Sequence, residues 1–467
     1  HPKVPCLALT ATATDRVAKD IREKLQFRPT PAEAPFFKKS FRRENIAFTV
    51  LKRAVKEPAV LDLLRRTPGS TIVYARNRRK TVQLANYLQR RGYSADFYHA
   101  GLAAEERSRK QEEWIRNKTQ IIVSTNAFGM GIDKANVRLV LHIDLPESLE
   151  AYYQEAGRAG RDGKPSSAVL LYNEADIQKL QEHFELSFPP LKTIRNVYDQ
   201  LYSHFSLAYG SGKEEQYDFD LSQFSEQSGR DLLTCFHSLK WLERNDYIHL
   251  SELRKSKERI HIPHPNRVYS QAPELHAEIV RTIFRLHEGV SIYFVPLKID
   301  QVSRWLQISR EKCRQALDRL NSQHLIQYQK DIKGQKVTFL EERLHTANVR
   351  IDPKAYDFLK RMQRERIETM LEFVGRKTCR QQFILQYFDE KSKKPCGQCD
   401  FCLSEQASEE GIKSKVEELL SRKAATIDEV LHTFHVALRE MVIRVVDKMI
   451  DGGLIEKKEQ KLCLVHP

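Results

Sequence analysis

The sequence predicts an α/β protein in which a lobe built on a parallel sheet is followed by winged-helix units and a small helical module. Two observations carry that class. Between about residues 51 and 175, apolar strand-like runs alternate with amphipathic helical stretches, the pattern of a parallel sheet covered by helices. From about residue 190 the alternation stops and one shape recurs at residues 241–248, 320–326 and 449–455. Each copy is the end of an amphipathic helix, a polar turn and an apolar pair opening a hairpin. Each follows a shorter helix (residues 221–227, 298–306 and 427–434), so each reads as helix, turn, second helix and wing. Thr426 with Glu429 forms a capping box for the last of these.

In chain order, residues 4–9 read as a strand, residues 10–14 as a small-residue turn, and Asp15 opens a helix. Residues 71–74 are a strand, and residues 78–91 a helix with Val82, Leu84, Ala85 and Leu88 on its apolar side. A short strand precedes Tyr98, and Arg107 lies on the helix that follows. The β-branched run Ile121-Ile122-Val123 and residues 137–143 read as buried strands, and residues 168–172 as the last strand of the lobe. Ligands of such sheets bind at the carboxyl ends of the strands. Thr125 stands at one such end, able either to hold a phosphate or, as readily, to cap the strand.

The chemistry concentrates in residues 120–163. Gly129 and Gly131 let backbone approach a ligand, and Pro146 and Ser148 open a helix expected to run through Tyr152 and Tyr153 to Arg161. On it Gln154, Arg158 and Arg161 stand at i, i+4 and i+7, one amide and two guanidiniums on a single face. Gly157 and Gly160 interrupt that helix at about 1 kcal/mol each, which suits close approach of a partner to the backbone. Paired arginines spread negative charge and an amide orients water, the needs of a phosphate-rich ligand. A solvated basic helix end is the bland reading of a lone RxxR. The ordered strand, Gly-x-Gly loop with Asp133, strand and helix outweighs it.

FGMGID (residues 128–133) and YYQEAGRAGRDG (residues 152–163) resemble motifs V and VI of superfamily-two helicases, in wording nearest the RecQ family of ATP-dependent DNA helicases. LALTATAT (residues 7–14) is similar to motif III, late in the first RecA-like lobe of that family. SFRREN (residues 40–45), with Arg43 and Asn45, resembles the entry to the second lobe, and YHAGL (residues 98–102) resembles motif IVa. The resemblance implies that Arg161 is the arginine finger, Arg158 its support and Gln154 the water-positioning amide. It implies nucleotide contacts from Gly129, Gly131 and Asp133, the last to the ribose, with ATP and Mg²⁺ as substrate. Thr125, Ser124, Arg107 and His99 are the candidates for DNA.

The 467 residues contain no GxxxxGK[ST] and no DExH or DExD, so the phosphate cradle and the Mg²⁺-holding acids of the first lobe are expected to be missing and this chain alone inactive. Cys379, Cys396, Cys399 and Cys402 have the spacing C-x16-C-x2-C-x2-C, which suits tetrahedral thiolate coordination of a structural Zn²⁺ better than a redox pair. Residues 378–403 resemble the RecQ zinc module nearly throughout. Cys6, Cys235, Cys313 and Cys463 read as packing.

Net charge is +15, with 77 basic against 62 acidic residues, an excess expected on surfaces that meet phosphates. No apolar run approaches a membrane span and no signal pattern is visible, so a cytoplasmic protein without a membrane partner is expected. The expected organisation is a first-lobe remnant (1–50), a second RecA-like lobe (51–189), winged-helix-like units (190–270 and 271–350), a zinc module (351–404) and a C-terminal winged helix (405–467). The leading function is an ATP-dependent DNA helicase, 3′→5′ and active in repair or recombination by resemblance, on single strands and duplex junctions. A DNA-binding module without ATPase activity and an RNA helicase of the same superfamily are the alternatives.

Overall fold

The structure, a computed structural model, describes residues 6–27, 36–129, 132–251, 254–255, 258–329 and 333–465. They form two compact units, residues 1–184 with 358–467, and residues 185–357.

The first unit opens with α1 (Asp15–Lys24), capped by the Thr14 hydroxyl, which accepts the Val17 N–H at 3.3 Å. The strand expected over residues 4–9 does not form where it is described. Leu7 and Leu9 are 80% and 84% exposed and pair with no strand, because a lone segment without a sheet neighbour has no ladder to satisfy its backbone.

The lobe then runs β1 (Ile46–Lys52), α2 (Glu57–Arg66), β2 (Ser70–Tyr74), α3 (Arg78–Arg90), β3 (Ala95–Tyr98), α4 (Ala104–Ile115), β4 (Ile121–Ser124), β5 (Val137–His142), α5 (Leu149–Ala156), β6 (Ser166–Tyr172) and α6 (Glu174–Ser187). The strands make one parallel sheet in the order β1-β6-β5-β2-β4-β3. All five residues of central β2 are buried, as a strand covered on both faces requires. Val73, Leu84, Leu88, Val123, Leu141 and Val169 share its core. Asn77 caps α3 by accepting the Lys80 N–H at 2.8 Å.

The second unit contains α7 (Leu191–His204), β7 (Gln216–Phe219), α8 (Leu221–Ser228), α9 (Leu232–Arg244), β8 (Ile248–Leu250), β9 (Arg254–Lys255), β10 (Arg259–His261), α10 (Pro265–Gln271), α11 (Glu274–Leu286), β11 (Val295–Pro296), α12 (Ile299–Trp305), α13 (Arg310–Ser322), β12 (Gln327–Gln329) and β13 (Lys333–Phe339). Strand pairing corrects the expected division at residue 270. β13 pairs antiparallel with β7, β8 and β9, whereas β10 pairs with β11 and β12. Residues 258–329 thus form a winged-helix unit inserted in the wing of another, with its own core of Ile260, Val280, Ile283, Val302, Leu317 and Leu320. Cross-strand pairing, invisible in local pattern, set that boundary.

The chain returns to the first unit through α14 (Pro353–Gly375), then α15 (Arg380–Tyr387), α16 (Asp400–Gln406), α17 (Glu409–Arg422), β14 (Ala425–Thr426), α18 (Ile427–His432), α19 (Arg439–Asp451), β15 (Ile455–Lys458) and β16 (Lys461–Leu464). The capping box at Thr426 and Glu429 is present. The last hairpin turns through Glu459 and Gln460 at φ 45° and 69°, the left-handed pair of a tight two-residue turn. This winged helix is seated on the lobe: Val436 enters the lobe core, and Arg66 Nη1 donates to the Leu431 and Phe434 carbonyls at 3.0 and 2.8 Å. No helix among the described residues is long and apolar enough to cross a membrane.

Candidate active site and metal centre

α5 is capped by Ser148, whose hydroxyl accepts the Ala151 N–H at 3.2 Å, and stops at Ala156 with Gly157 as its C-cap. The helix expected to reach Arg161 is therefore shorter, and Gln154, Arg158 and Arg161 do not share one helical face. Tertiary hydrogen bonds replace the next helical turn. Arg43 donates to the Gly157 and Ala159 carbonyls at 3.1 and 3.2 Å, and Asn45 donates to the Gly160 and Lys164 carbonyls at 2.6 and 3.0 Å. Gly160, at φ +57°, gives its N–H to Val137 O at 2.9 Å, and a Cβ there would collide with Asn45, Ser166 and the Lys164 carbonyl. Asp162 closes the turn onto Arg138 at 2.6 Å, and that hydrogen bonding holds its carboxyl below the usual range.

The turn delivers both arginines to the loop after β4. A Cβ on Gly129 would lie 2.9 Å from an Arg158 Nη, so the guanidinium packs directly on that glycine. Arg161 Nη1 donates to the Ile132 carbonyl at 2.9 Å and to Asp133 Oδ1 at 2.7 Å. Gly131 lies outside the described residues. Gln154 is exposed and its amide donates to the Thr12 hydroxyl, on the segment that resembles motif III.

Beneath this surface, at the carboxyl ends of β2 and β5, lies a buried polar cluster. The Tyr74 hydroxyl donates to the Phe128 carbonyl at 2.9 Å, and its ring stacks on His142 at 5.1 Å. His142 Nε2 is 2.8 Å from a Glu155 carboxylate oxygen. Burial pushes the Tyr74 hydroxyl far above its usual pKa, while the nearby Arg158 charge draws it back. Arg158 Nε and His142 Nδ1 are buried without a hydrogen-bond partner. A cavity of ≈ 110 Å³ is lined by Tyr74, Asn126, His142, Asp144 and Glu155 among others.

The DNA candidates separate. Ser124 is fully buried and the single proton of its hydroxyl is shared between the Tyr98 and Thr125 carbonyls, 2.9 and 2.7 Å away, so it is held within the protein and does not face a ligand. Thr125 is buried too, and its hydroxyl accepts the Ala127 N–H at 3.4 Å, a local turn contact. His99 and Arg107 are half-buried, and His99 Nδ1 and Arg107 Nε have no protein partner. Burial, then the Arg78 charge, lowers the His99 pKa and keeps it neutral near pH 7.

Cys379, Cys396, Cys399 and Cys402 converge with all four sulfurs within 4.8 Å of one another. The Cys396 and Cys402 sulfurs are 3.9 Å apart, close to the ~3.8 Å edge of a tetrahedron with Zn–S bonds of ~2.3 Å. Cys379 caps α15, and Gly397 at φ +75° turns the knuckle. Thiols this close share protons: hydrogen bonds from Cys396 and Cys399 drive the Cys379 pKa down, at the expense of its neighbours. Backbone N–H groups of Cys396 and Cys402 point at the Cys379 and Cys399 sulfurs at 3.2 and 3.4 Å, the support expected around thiolates. Arg380 and Asp400 pair beside the cluster, both buried, and Gln398 ties the knuckle to β1 by donating to the Glu44 and Ile46 carbonyls at 2.8 and 3.2 Å. Of the other cysteines, Cys235 and Cys313 are buried as expected, but Cys6 is exposed and Cys463 half-buried, since neither faces a closed core.

Residues 55–163 match the family described as helicase conserved C-terminal domain, residues 329–403 that described as RecQ zinc-binding, and residues 267–330 that described as RecQ helicase winged-helix domain, Bacteroidota. Among similar proteins, the ATP-dependent DNA helicase RecQ of Bacillus subtilis is 37% identical over 226 residues, covering 46% of this chain and 38% of that protein. ATP-dependent DNA helicase Q-like 2 of Arabidopsis thaliana is 40% identical over 205 residues, covering 42% of this chain and 28% of that protein. The chain thus spans less than two fifths of the length of these curated relatives. The solved structure of S. cerevisiae Dbp5 bound to RNA and ADP BeF3 aligns with a TM-score of 0.32 at 20% identity, over 37% of this chain and 47% of that one. Sulfur geometry and the zinc-binding match together identify the four cysteines as a structural zinc site.

Proposed function

The chain belongs to the RecQ family of superfamily-two helicases, and on that premise we propose that it supplies the second lobe and the DNA-gripping modules of an ATP-dependent DNA helicase. The observation that carries this reading is the delivery of Arg158 and Arg161 to the loop around Gly129 and Asp133. ATP with Mg²⁺ binds between this lobe and a first lobe carrying the P-loop and DExH acids, which this chain's sequence lacks. Alone, the chain binds DNA and does not hydrolyse ATP.

The roles are those that the resemblance implies, and the geometry supports them. Arg161 is the finger: its pair with Asp133, whose side chain is 88% exposed, is a surface ion pair worth ~0–1 kcal/mol, so a triphosphate displaces the carboxylate readily. Asp133, released, accepts from the ribose. Arg158, packed on Gly129, supports it from below and joins it on the γ-phosphate, and Gly129 lets the phosphates approach the backbone. Gln154, steadied by Thr12, orients the attacking water. His99, Arg107 and the exposed neighbourhood of Thr125 contact single-stranded DNA, with 3′→5′ movement and a role in repair or recombination following from the family.

Replacing Arg161 by Ala in the complete protein is expected to leave DNA affinity near normal and to lower DNA-stimulated ATP hydrolysis by ~10³-fold or more. Retained turnover removes the finger assignment. Titrating this chain alone with ATP is expected to give negligible binding, whereas a forked DNA binds; tight ATP binding would show that the second lobe does not need its partner.

A further inference from the structure

Arg158 is the one arginine of the pair whose charge no carboxylate takes up. Arg161 has Asp133 and Arg138 has Asp162, but among the described residues no acid pairs with Arg158, although Glu155 is three positions away in the same segment. The reason is visible beneath it. Glu155 is committed to His142, which is 1% exposed and stacked against Tyr74. What meets Arg158 instead is neutral: the Gly129 backbone and the Tyr74 hydroxyl region, with Tyr74 itself only 4% exposed. The Tyr74 hydroxyl also donates to the carbonyl of Phe128, the residue before the glycine on which Arg158 rests. One side chain therefore fixes both the loop and the floor under the guanidinium.

We propose that Tyr74 is a positioning residue for Arg158, and that His142 withholds the Glu155 carboxylate so that Arg158 keeps its full charge for phosphate. This rests on the phosphate-binding role given to Arg158 above. The bland alternative is a buried tyrosine and histidine that only fill space at the end of β2 and β5. That alternative gives no reason for a buried Arg158 Nε to go without a partner while a carboxylate nearby is held by a histidine. It also predicts no coupling to turnover. A guanidinium loosened by even 1 Å, or neutralised by Glu155, stabilises a developing phosphoryl charge less and leaves ground-state binding little changed.

The test uses the complete helicase. Tyr74→Phe removes one oxygen and keeps the ring, so it is expected to fold; DNA-stimulated kcat falls about tenfold or more while KM for ATP and single-strand affinity hold. His142→Leu lowers kcat likewise, and adding Glu155→Gln restores part of it, because the amide can no longer quench Arg158. A purely structural role would make the second substitution worse. Tyr74→Phe in an Arg158→Ala background is expected to cost nothing further. Additive losses there, or wild-type turnover in Tyr74→Phe, overturn the positioning role. Full turnover in Arg158→Ala alone overturns the assignment of Arg158, and this proposal with it.

Discussion

Arg43 and Asn45 show how a residue can matter without touching a ligand. Together they occupy four carbonyls of the turn after α5 and so stop the helix where Arg158 and Arg161 can reach the glycine loop. Gly160 is the position where no other residue serves. Its φ of +57° costs an L side chain ~1–2 kcal/mol, and a Cβ would also press on Asn45 and the Lys164 carbonyl. Gly160→Ala is therefore expected to destabilise the lobe by ~2–3 kcal/mol in a urea melt of this chain, while Gly163→Ala, which meets nothing, costs only the backbone share. The arginines and the glycines were legible as a pattern. Their shared helical face was not real, because the spacing rule assumes a helix that tertiary hydrogen bonds had already ended.

Among the elements, α11 and α12 carry a titratable joint. The His287 Nδ1–H donates to the Ile283 carbonyl at 3.2 Å while Nε2 accepts the Lys298 N–H at 2.9 Å, an arrangement only the neutral ring can make. Burial, opposed by the Ile283 hydrogen bond and reinforced by the Lys298 charge, lowers its pKa below the ordinary 6.5. The unfolded chain then binds the extra proton first. Stability from this group is full above pH ~6.5 and is lost as pH falls through the lower folded value. Thermal melts followed from pH 7.5 to 5 are expected to show the second unit weakening, and His287→Gln to flatten that slope; an unchanged slope would leave it to His276, whose pKa burial also lowers. Arg66 plays the corresponding part for the C-terminal winged helix. Arg66→Ala strips the Phe434 carbonyl of its side-chain donor, leaves the Leu431 carbonyl to backbone N–H groups alone, and is expected to cost ~1–3 kcal/mol, with protease cutting first near the start of α19.

At the scale of the whole molecule, zinc stands where two modules meet. Gln398 ties its knuckle to β1, and the buried Arg380–Asp400 pair braces the flanking helices. Purified protein is expected to carry zinc on the four cysteines, and a chelator or Cys399→Ser to lower the melting temperature of the first unit and leave the second unit's transition in place. A single unchanged transition after zinc removal would contradict that. The alternating strands, the three helix–turn–helix–wing shapes, the cysteine set and the two glycine-flanked arginines belong to the sequence by itself, because each is a short-range property of spacing and residue type. The insertion of one winged helix in the wing of another, the end of α5, and the choice of His142 over Arg158 as partner to Glu155 were decided only in three dimensions. They depend on which distant strands and side chains compete for the same hydrogen-bonding group, and that competition leaves no periodic trace along the chain.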